Sequence, residues 1–323
     1  MSKTYVLIDF YNLVFRTRHT VKDVDMQIGL SLHTFFTCLK ASCDRFKPDH
    51  VVVCADKGSW RYDVYSDYKL NRKLKELTKS PSEKEEDKAF FEAVNELWKF
   101  LDEKTNLTTL KCSGAEADDI IAVWTQTHPD DKNIIVSTDE DYFQLISNNV
   151  SCYNGTKDLH ITIDGYFDLG GNPVTHKDGS TKPDPEFCLF LKCIRGDSDN
   201  IFSAFPNARL KSSKKKVGIV EAYNDRIDKG FAYTNFFNQT WENHDGETMV
   251  VKERFEFNKK LMDLTMQPDY IRMSCIEEIF KQTEKEPVRD VGFYFLKFCS
   301  TWSLEKISQS PNAYAAYLNK GYK

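Results

Sequence analysis

The sequence predicts an α/β fold with a mostly parallel central sheet flanked by helices. Three apolar runs of strand length predict buried strands at 4–10, 51–56 and 133–138. Between these runs lie segments with apolar residues at helical spacing, such as residues 26–46. Strands that alternate with helices are typical of a parallel sheet that is covered by helices on both faces.

The remaining elements are predicted from the same patterns. Residues 154–183 are rich in Gly, Asp, Asn and Thr, which predicts a surface excursion that contains a hairpin. After residue 200 the chain becomes basic and then helix-like, which predicts a C-terminal helical region. The other predicted elements are a short strand at 107–110 and helices at 89–103, 115–127 and 184–195.

Length, charge and cysteine content limit the class of protein. At roughly 100–200 residues per domain, 323 residues form one large domain or two closely associated ones. The net charge of −5 argues against bulk-electrostatic binding of nucleic acid, so such binding would need local basic patches. Nine cysteines without a CxxC pair indicate reduced thiols in a cytoplasmic protein, not a zinc site or disulfide framework. No apolar stretch approaches the ~20 residues of a membrane helix, and an Asp in the first apolar run argues against a signal peptide.

Acidic residues follow the predicted strands. Asp9 ends the first strand, Asp56 ends the second, and Asp139 follows the third. Ligands of open α/β sheets bind beyond the carboxyl ends of the strands, so these three side chains should reach one crevice. Further acids lie in GAEADDIIA (114–122), STDEDYFQL (137–145) and IRGDSDN (194–200), namely Glu116, Asp118, Asp119, Asp141, Asp197 and Asp199.

Such a concentration of carboxylates is costly unless cations or protons offset it. Two unit charges ~4 Å apart at an effective dielectric near 20 repel each other by about 4 kcal/mol. Oxygen ligands without His or Cys select hard ions such as Mg²⁺ or Mn²⁺. Two such ions suit phosphodiester hydrolysis, since one activates water and both stabilise the attacking and leaving oxygens. A single acid here is more simply a helix cap or turn residue, but the whole set is harder to explain that way.

Two basic segments are candidate contacts to nucleic acid. The first, residues 68–79, follows the second predicted strand, where cations can hold a scissile phosphate. The second, residues 209–216, can contact a duplex backbone without reading its bases. The alternatives are a solvated helix face for the first and a flexible surface loop for the second. The residues concerned are Lys69, Arg72 and Lys73 in the first segment and Lys211, Lys214, Lys215 and Lys216 in the second.

Six motifs occur in an order that resembles the 5′-nuclease superfamily of flap endonucleases and 5′→3′ exonucleases. They are IDFYNLVFR (8–16), AD (55–56), YKLNRK (68–73), AEADD (115–119), STDEDYFQL (137–145) and RGDSDNI (195–201). Two further segments, KKKVGIVEAYNDR (214–226) and YFLKFCSTWSLEKI (294–307), are similar to the ribonuclease H branch of T-even-type bacteriophages. Each motif alone is weak, but six in one order are specific, and the resemblance covers about residues 4–310.

The resemblance implies two metal ions and their ligands. The family spaces the two acids of its Gly-Asp turn three residues apart, whereas Asp197 and Asp199 are two apart, which leaves occupancy of the second site open. The alternation of a strand would point Glu140 away from its neighbours in the DxD, so it is not counted as a ligand. The first ion would be held by Asp9, Asp56, Glu116 and Asp118, and the second by Asp139, Asp141 and Asp197, with Asp119 and Asp199 as further ligands.

The resemblance also implies contacts to the substrate. Residues 68–88 would form a helical arch or clamp through which a 5′ single strand passes. Lys69 and Arg72 would act on the scissile phosphate, Arg16 would contact another phosphate, and Tyr68 would stack on a terminal base.

The implied activity is that of a Mg²⁺-dependent 5′→3′ exonuclease and flap endonuclease with ribonuclease H activity, with Mn²⁺ as a substitute ion. The implied role is removal of RNA primers in DNA replication. Residues 1–200 would form the nuclease domain, and residues 201–323 a helix-hairpin-helix-like DNA-binding region packed on it. Expected partners are DNA and RNA–DNA hybrids with 5′ ends or flaps, and a replisome protein such as a single-strand-binding protein. We expect a monomer in the cytoplasm, that of the host if the protein is viral.

Other classes fit the sequence less well. A haloacid-dehalogenase-type phosphatase would need an acid at the position of Tyr11, and a P-loop ATPase would need a GxxxxGK[ST] motif that is absent. The alternative that stays open is a catalytically impaired DNA-binding replication subunit. Such a subunit would be expected to lose acids that this chain retains.

Overall fold

A computed structural model describes residues 2–18, 20–214, 216–243 and 246–322, which leaves the predicted DNA contact Lys215 outside the described residues. The chain divides into two compact units. The sheet unit comprises Met1–Trp60, Lys79–Pro183 and Gln267–Lys323, and the small unit comprises Arg61–Thr78 and Asp184–Met266. This division differs from the boundary expected at residue 200, because the chain returns to the sheet unit at Gln267. The assignment of nuclease and DNA-binding roles to these regions stays a prediction.

The sheet has a parallel half and an antiparallel half. Its strands are β1 (Thr4–Asp9), β2 (His50–Cys54), β3 (Thr108–Leu110), β4 (Lys132–Val136), β5 (Val150–Asn154), β6 (Leu159–Thr162), β7 (Gly165–Phe167) and β8 (Pro173–Val174). Their order is β3-β2-β1-β4-β5-β6-β7-β8. The pairs from β3 to β5 are parallel, and those from β5 to β8 are antiparallel. The predicted α/β class is confirmed, and the predicted excursion at 154–183 continues the sheet as hairpins.

Strand register places the carboxyl ends of the central strands at one level. Asp9 pairs with Cys54 of β2, and Ile8 pairs with Val136 of β4. All of β2 is buried, as is most of β1, which explains why both strands are apolar runs in the sequence. The residues that follow these strands therefore meet at a single edge, which we call the carboxyl edge.

The helices were mostly anticipated by the apolar periodicity. The helix predicted at 89–103 begins earlier, at Pro81, because the Ser80 and Glu83 side chains form a capping box at its start. The helices are α1 (Phe10–Phe15), α2 (Val24–Phe46), α3 (Arg61–Val64), α4 (Leu70–Thr78), α5 (Pro81–Lys104), α6 (Ala117–Thr127), α7 (Pro185–Arg195), α8 (Ile219–Asn224), α9 (Phe231–Phe237), α10 (Val251–Met262), α11 (Asp269–Thr283), α12 (Val291–Thr301), α13 (Glu305–Ser308) and α14 (Pro311–Leu318).

The core of the sheet unit draws on both ends of the chain. Buried residues of β1, β2, α2 and α5 share one apolar cluster with Phe295, Phe298, Ile307 and Leu318 of the C-terminal helices. The backbone continues this association, since the Asn106 N–H donates to the Leu318 carbonyl oxygen (2.8 Å). The sheet unit is therefore complete only when the last helices are in place.

The small unit has an apolar core of its own. This core combines residues of α7, α8, α9 and α10 with Tyr68, and a two-stranded sheet of β9 (Thr240–Glu242) and β10 (Thr248–Val250) lies beside it. Helix α4 buries none of its residues, and Leu77 on it is 76% exposed. Among the described residues, no helix combines the length and the apolar character needed to cross a membrane.

Candidate active site

Asp9 lies at the centre of the carboxyl edge. It is the last residue of β1 and caps α1, with Oδ1 accepting from the Asn12 N–H (3.2 Å). Oδ2 accepts from the Tyr142 hydroxyl (3.0 Å) and from the Ser137 hydroxyl (3.4 Å). These donors hold the carboxylate in one orientation at the end of the strand.

The electrostatic environment of Asp9 disfavours its charged form. Burial, together with the neighbouring carboxylates Asp56 and Asp139, raises the pKa of Asp9 to about 7. The hydrogen bonds from Asn12 and Tyr142 oppose this rise in pKa without cancelling it. A bound cation would relieve the same repulsion, so protons and cations should compete for this edge.

Asp56 connects the second strand to the start of helix α6. It lies two residues beyond β2, and its Oδ1 accepts from the Ala117 N–H (2.7 Å). The two segments run together at this point, because the Gly114 N–H donates to the Lys57 carbonyl oxygen (2.8 Å). Asp56 is exposed, so part of its carboxylate remains accessible to solvent.

A second group of acids lies at the N-terminus of α6. Glu116, Asp118 and Asp119 each offer one carboxylate oxygen, and these oxygens lie within 4.8 Å of one another. Asp119 is fully buried, where it accepts from the Glu116 N–H (3.1 Å) and from Trp60 Nε1 (3.3 Å). The positive end of the helix dipole stabilises carboxylates at this position. Oxygen ligands at this spacing fit a hard divalent cation.

The predicted DxD segment forms a 3₁₀-helix at Glu140–Leu145. Asp139 caps it, with Oδ1 accepting from the Asp141 N–H (2.9 Å). The strand-like alternation expected to point Glu140 away from its neighbours is therefore wrong for this segment. Glu140 is nevertheless engaged elsewhere, since it binds Lys177 Nζ (2.6 Å).

Asp197 and Asp199 lie in the small unit, where both bind cations. Lys192 Nζ lies 2.9 Å from Asp197, and Asp199 lies 2.5 Å from Arg72 Nη2 and 3.7 Å from Lys69 Nζ. Burial alone would raise the pKa of Asp197, but the Lys192 ammonium, with help from Ser198, brings that pKa below its usual value. Sequence reasoning did not foresee these ion pairs. A metal-binding role for the two acids stays a prediction.

The substrate contacts predicted in the first basic segment are only partly exposed. Tyr68 is 5% exposed and belongs to the core of the small unit, so its ring is not placed for the predicted stacking on a base. Lys73 Nζ lies 4.0 Å from the centre of the Tyr62 ring. Lys69 has a left-handed backbone (φ 54°), and its N–H donates to the Asp199 carbonyl oxygen (2.8 Å).

Arg16, the other predicted phosphate contact, is directed into the protein. Its Nη1 donates to Cys38 Sγ (3.4 Å). Its Nε and Nη2 are buried and have no hydrogen-bond partner among the described residues. The Arg16 side chain would therefore have to leave this buried position in order to contact a phosphate.

The described lysines of the second basic segment are exposed, and backbone hydrogen bonds tie the loop that carries them to the start of α8. Lys211, Lys214 and Lys216 are all exposed. The loop closes over the start of α8, where the Ile219 and Val220 N–H groups donate to the Arg209 and Leu210 carbonyl oxygens (both 2.9 Å). A Cβ at Gly218 would collide with the backbone of Lys211 and Ser212, so this closure requires glycine.

Sequence reasoning missed the residues that hold the acids in place. Tyr142 and Ser137 donate to Asp9, Trp60 donates to Asp119, and the Asn12 side chain accepts from the Thr138 N–H (3.0 Å). Asn12 lies three residues after Asp9, and Tyr142 directly follows Asp141, so this short spacing could have indicated that they contact the acids. The contact of Trp60 with Asp119 could not be predicted in this way, because the two residues are far apart in the sequence.

Known proteins match this chain in sequence and in fold. The sequence model of the 5′-3′ exonuclease N-terminal, resolvase-like domain matches residues 4–168. A 5′-3′ exonuclease of Mycoplasmopsis pulmonis is 25% identical over 306 residues, which are 92% of this chain and 95% of that protein. The flap endonuclease Xni of Shewanella woodyi is 28% identical over 224 residues, which are 67% of this chain and 77% of that protein. The D15 flap endonuclease of bacteriophage T5, solved as a pseudo-enzyme–product complex with DNA and metal ions, has a similar fold, with a TM-score of 0.56 and 19% identity covering 97% of this chain and 100% of that one.

Proposed function

Since this chain belongs to the 5′-3′ exonuclease family, whose members are nucleases, we propose that it is a Mg²⁺-dependent 5′ nuclease of DNA replication. Its activity is that of a 5′-3′ exonuclease and flap endonuclease. The proposal adds cleavage of RNA–DNA hybrids, and thereby removal of RNA primers together with adjacent DNA.

The carboxyl edge of the sheet carries this proposal. Asp9 ends β1, and Asp56 and Asp139 follow the neighbouring strands β2 and β4. The Ala117 N–H donates to Asp56, which places the start of α6 and its acids beside the same edge. Burial first, and then the charges of Asp56 and Asp139, raise the pKa of Asp9, which supports a carboxylate group whose charged form is costly without a cation. A set of oxygen ligands with unneutralised charge is what a hard divalent ion requires.

We propose that Asp9, Asp56, Glu116 and Asp118 hold the first ion, with Asp119 supporting Glu116 by its hydrogen bond. Asp139 and Asp141 belong to the second site. Asp197 and Asp199 could join it only by exchanging their present ion pairs, so the second ion should bind more weakly than the first. When bound, the two ions supply Lewis acidity for hydrolysis of a phosphodiester. The protein orients the carboxylates through Tyr142, Ser137 and the start of α6.

Substrate binding would rest on backbone contacts. The T5 flap endonuclease was solved with DNA, and the exposed lysines Lys211, Lys214 and Lys216 are suited to a duplex backbone. Lys69 and Arg72 now bind Asp199, and they would contact substrate phosphate by giving up that carboxylate. Such contacts carry no base identity, so cleavage should depend on nucleic-acid structure and on salt. We propose that the protein acts as a monomer with a replisome partner such as a single-strand-binding protein.

Cleavage of a 5′-labelled panel tests the proposal. The panel contains a 5′ flap, a nicked duplex, an RNA–DNA hybrid and a single strand, each incubated with Mg²⁺, Mn²⁺ or EDTA. Metal-dependent release of short 5′ products from the flap or the hybrid is expected. Binding of every substrate without cutting, with Mn²⁺ also tried, would favour the catalytically impaired DNA-binding subunit instead.

A further inference from the structure

Lys111 emerges at the β3 end of the carboxyl edge. Leu110, the residue before it, ends β3 and pairs with Cys54 of β2. The Ala55 N–H donates to the Leu110 carbonyl oxygen (3.0 Å), which fixes Lys111 beside the segment that carries Asp56. Its position is therefore set by the same strand ends that present the acids.

The Lys111 ammonium rests on aromatic rings. Nζ lies 4.4 Å from the centre of the Trp98 ring and 5.9 Å from that of the Tyr11 ring. Trp98 is itself held against Phe10 in an edge-to-face contact, with 5.2 Å between ring centres. Aromatic faces attract a cation without consuming its hydrogen-bond donors. Among the described residues, no carboxylate or carbonyl oxygen accepts from Lys111 Nζ.

A second lysine lies close by. Lys57 follows Asp56 and is exposed, and its backbone is pinned on both sides, since its N–H donates to the Ala115 carbonyl oxygen (3.0 Å) and its carbonyl oxygen accepts from Gly114 (2.8 Å). Burial, followed by the positive charge of Lys57, lowers the pKa of Lys111, while Asp56 and Asp102 oppose this. The two cations are therefore near each other and near Asp56, although neither forms an ion pair within the described part of the chain.

We propose that Lys111 and Lys57 form a binding site for a backbone phosphate of the substrate strand, next to the acidic group at the carboxyl edge. The inference rests on the proposed function and deepens it. A strand whose scissile phosphate lies at the acids must place neighbouring phosphates within reach of this edge, where acids alone would repel them. Two cations with available donors offset that repulsion and bind the phosphate directly.

The competing explanation is that Lys111 only offsets the carboxylates or only packs on Trp98. Two substitutions separate these roles. Lys111→Met keeps an unbranched apolar stem over Trp98 and removes the charge, whereas Lys111→Arg keeps the charge and the ring contact. Lys104→Met is the matched control, because Lys104 Nζ also lies over a ring, 5.3 Å from the centre of Tyr294, at the far end of α5.

The experiment measures binding of a 5′-flap DNA in EDTA by fluorescence anisotropy over a salt series, and turnover in Mg²⁺. Lys111→Met should raise Kd and KM about ten-fold, the loss of one charge-assisted hydrogen bond, with a smaller effect on kcat. The slope of log K against log salt should fall by about 0.9, the contribution of one phosphate contact. Lys111→Arg and Lys104→Met should bind within about two-fold of the unaltered protein, and Lys57→Met should act in the same direction as Lys111→Met.

Two results would overturn the inference. One is a folded Lys111→Met variant whose Kd and salt slope match those of the unaltered protein. The other is a variant that melts at a lower temperature in EDTA, recovers in Mg²⁺, and binds DNA unchanged, since that would be the signature of charge offset alone. Failure of the proposed function is distinguishable, because the unaltered protein would then cut none of the substrates.

Discussion

The raised pKa of Asp9 predicts how the stability of the metal-free protein depends on pH. In the folded protein the pKa of Asp9 is about 7, above its ordinary value of 3.8. The contribution of Asp9 to stability is therefore complete below pH 3.8 and is lost as the pH rises through about 7. Integrated between about pH 6 and about pH 8, this one group lowers the free energy of unfolding by about 1.4 kcal/mol. For a chain of 323 residues, whose entropy of unfolding is roughly 0.7 kcal/mol/K, that is a fall in Tm of about 2 °C.

The assay is thermal melting in EDTA at a series of pH values, for the unaltered protein and for Asp9→Asn. The variant should lose this part of the pH dependence and melt at a higher temperature at about pH 8, because the amide keeps the hydrogen bond from Asn12 and can donate to Tyr142 without a charge. Tyr142→Phe gives a second check. It removes a hydrogen bond that lowers the pKa of Asp9, so the pH dependence should move to higher pH.

Bound Mg²⁺ should stabilise the folded protein at the pH values where Asp9 has lost its proton. In saturating Mg²⁺ the melting temperature should rise, and it should rise more at about pH 8 than at about pH 6, because the ion binds the ionised carboxylates. Equal pH dependence of the unaltered protein and of Asp9→Asn in EDTA would refute the reasoning. So would a Mg²⁺ effect that does not change with pH.

Three further substitutions test the site. Asp141→Asn should keep the fold and DNA binding, measured by circular dichroism and anisotropy, but lose most turnover in the cleavage assay; a normal rate would contradict its metal-binding role. Asp199→Asn should release Lys69 and Arg72 and tighten flap binding several-fold in EDTA while keeping turnover, whereas a loss of turnover with unchanged binding would mark Asp199 as a metal ligand. Gly218→Ala should lower the free energy of unfolding by about 1–3 kcal/mol, seen by urea denaturation, because its Cβ has no space against the loop backbone; unchanged stability would show that the loop yields easily.

Strands β1 to β4 of the parallel half could be predicted from the sequence because they are largely buried, whereas β5 was not predicted. Such strands are continuous apolar runs, as β1 and β2 are, and each is followed by an acid that the sheet then gathers at one edge. The antiparallel half was harder to predict. Strands β6 to β8 are short and polar, and their pairing depends on hairpin geometry that composition reveals only as an excursion.

Side-chain partners of the candidate site were the least predictable feature. Tyr68 stands in a basic, polar segment, yet tertiary packing buries its ring in the small unit. Asp199 was predicted from its motif as an acid for metal, and its pairing with Arg72 joins residues far apart in the sequence. Local patterns identify the residue types that a site needs, whereas the partner of each residue is set by contacts between distant segments.

The return of the chain to the sheet unit has a consequence for folding during synthesis. The strands and acids of the carboxyl edge are made early, but the apolar cluster beneath them includes Phe295, Ile307 and Leu318. A nascent chain that has reached the small unit therefore exposes apolar surface that only the last helices cover. Transiently exposed apolar surface makes partly folded chains prone to aggregate, so we expect the ribosome-bound intermediate to depend on chaperones more than the finished protein does.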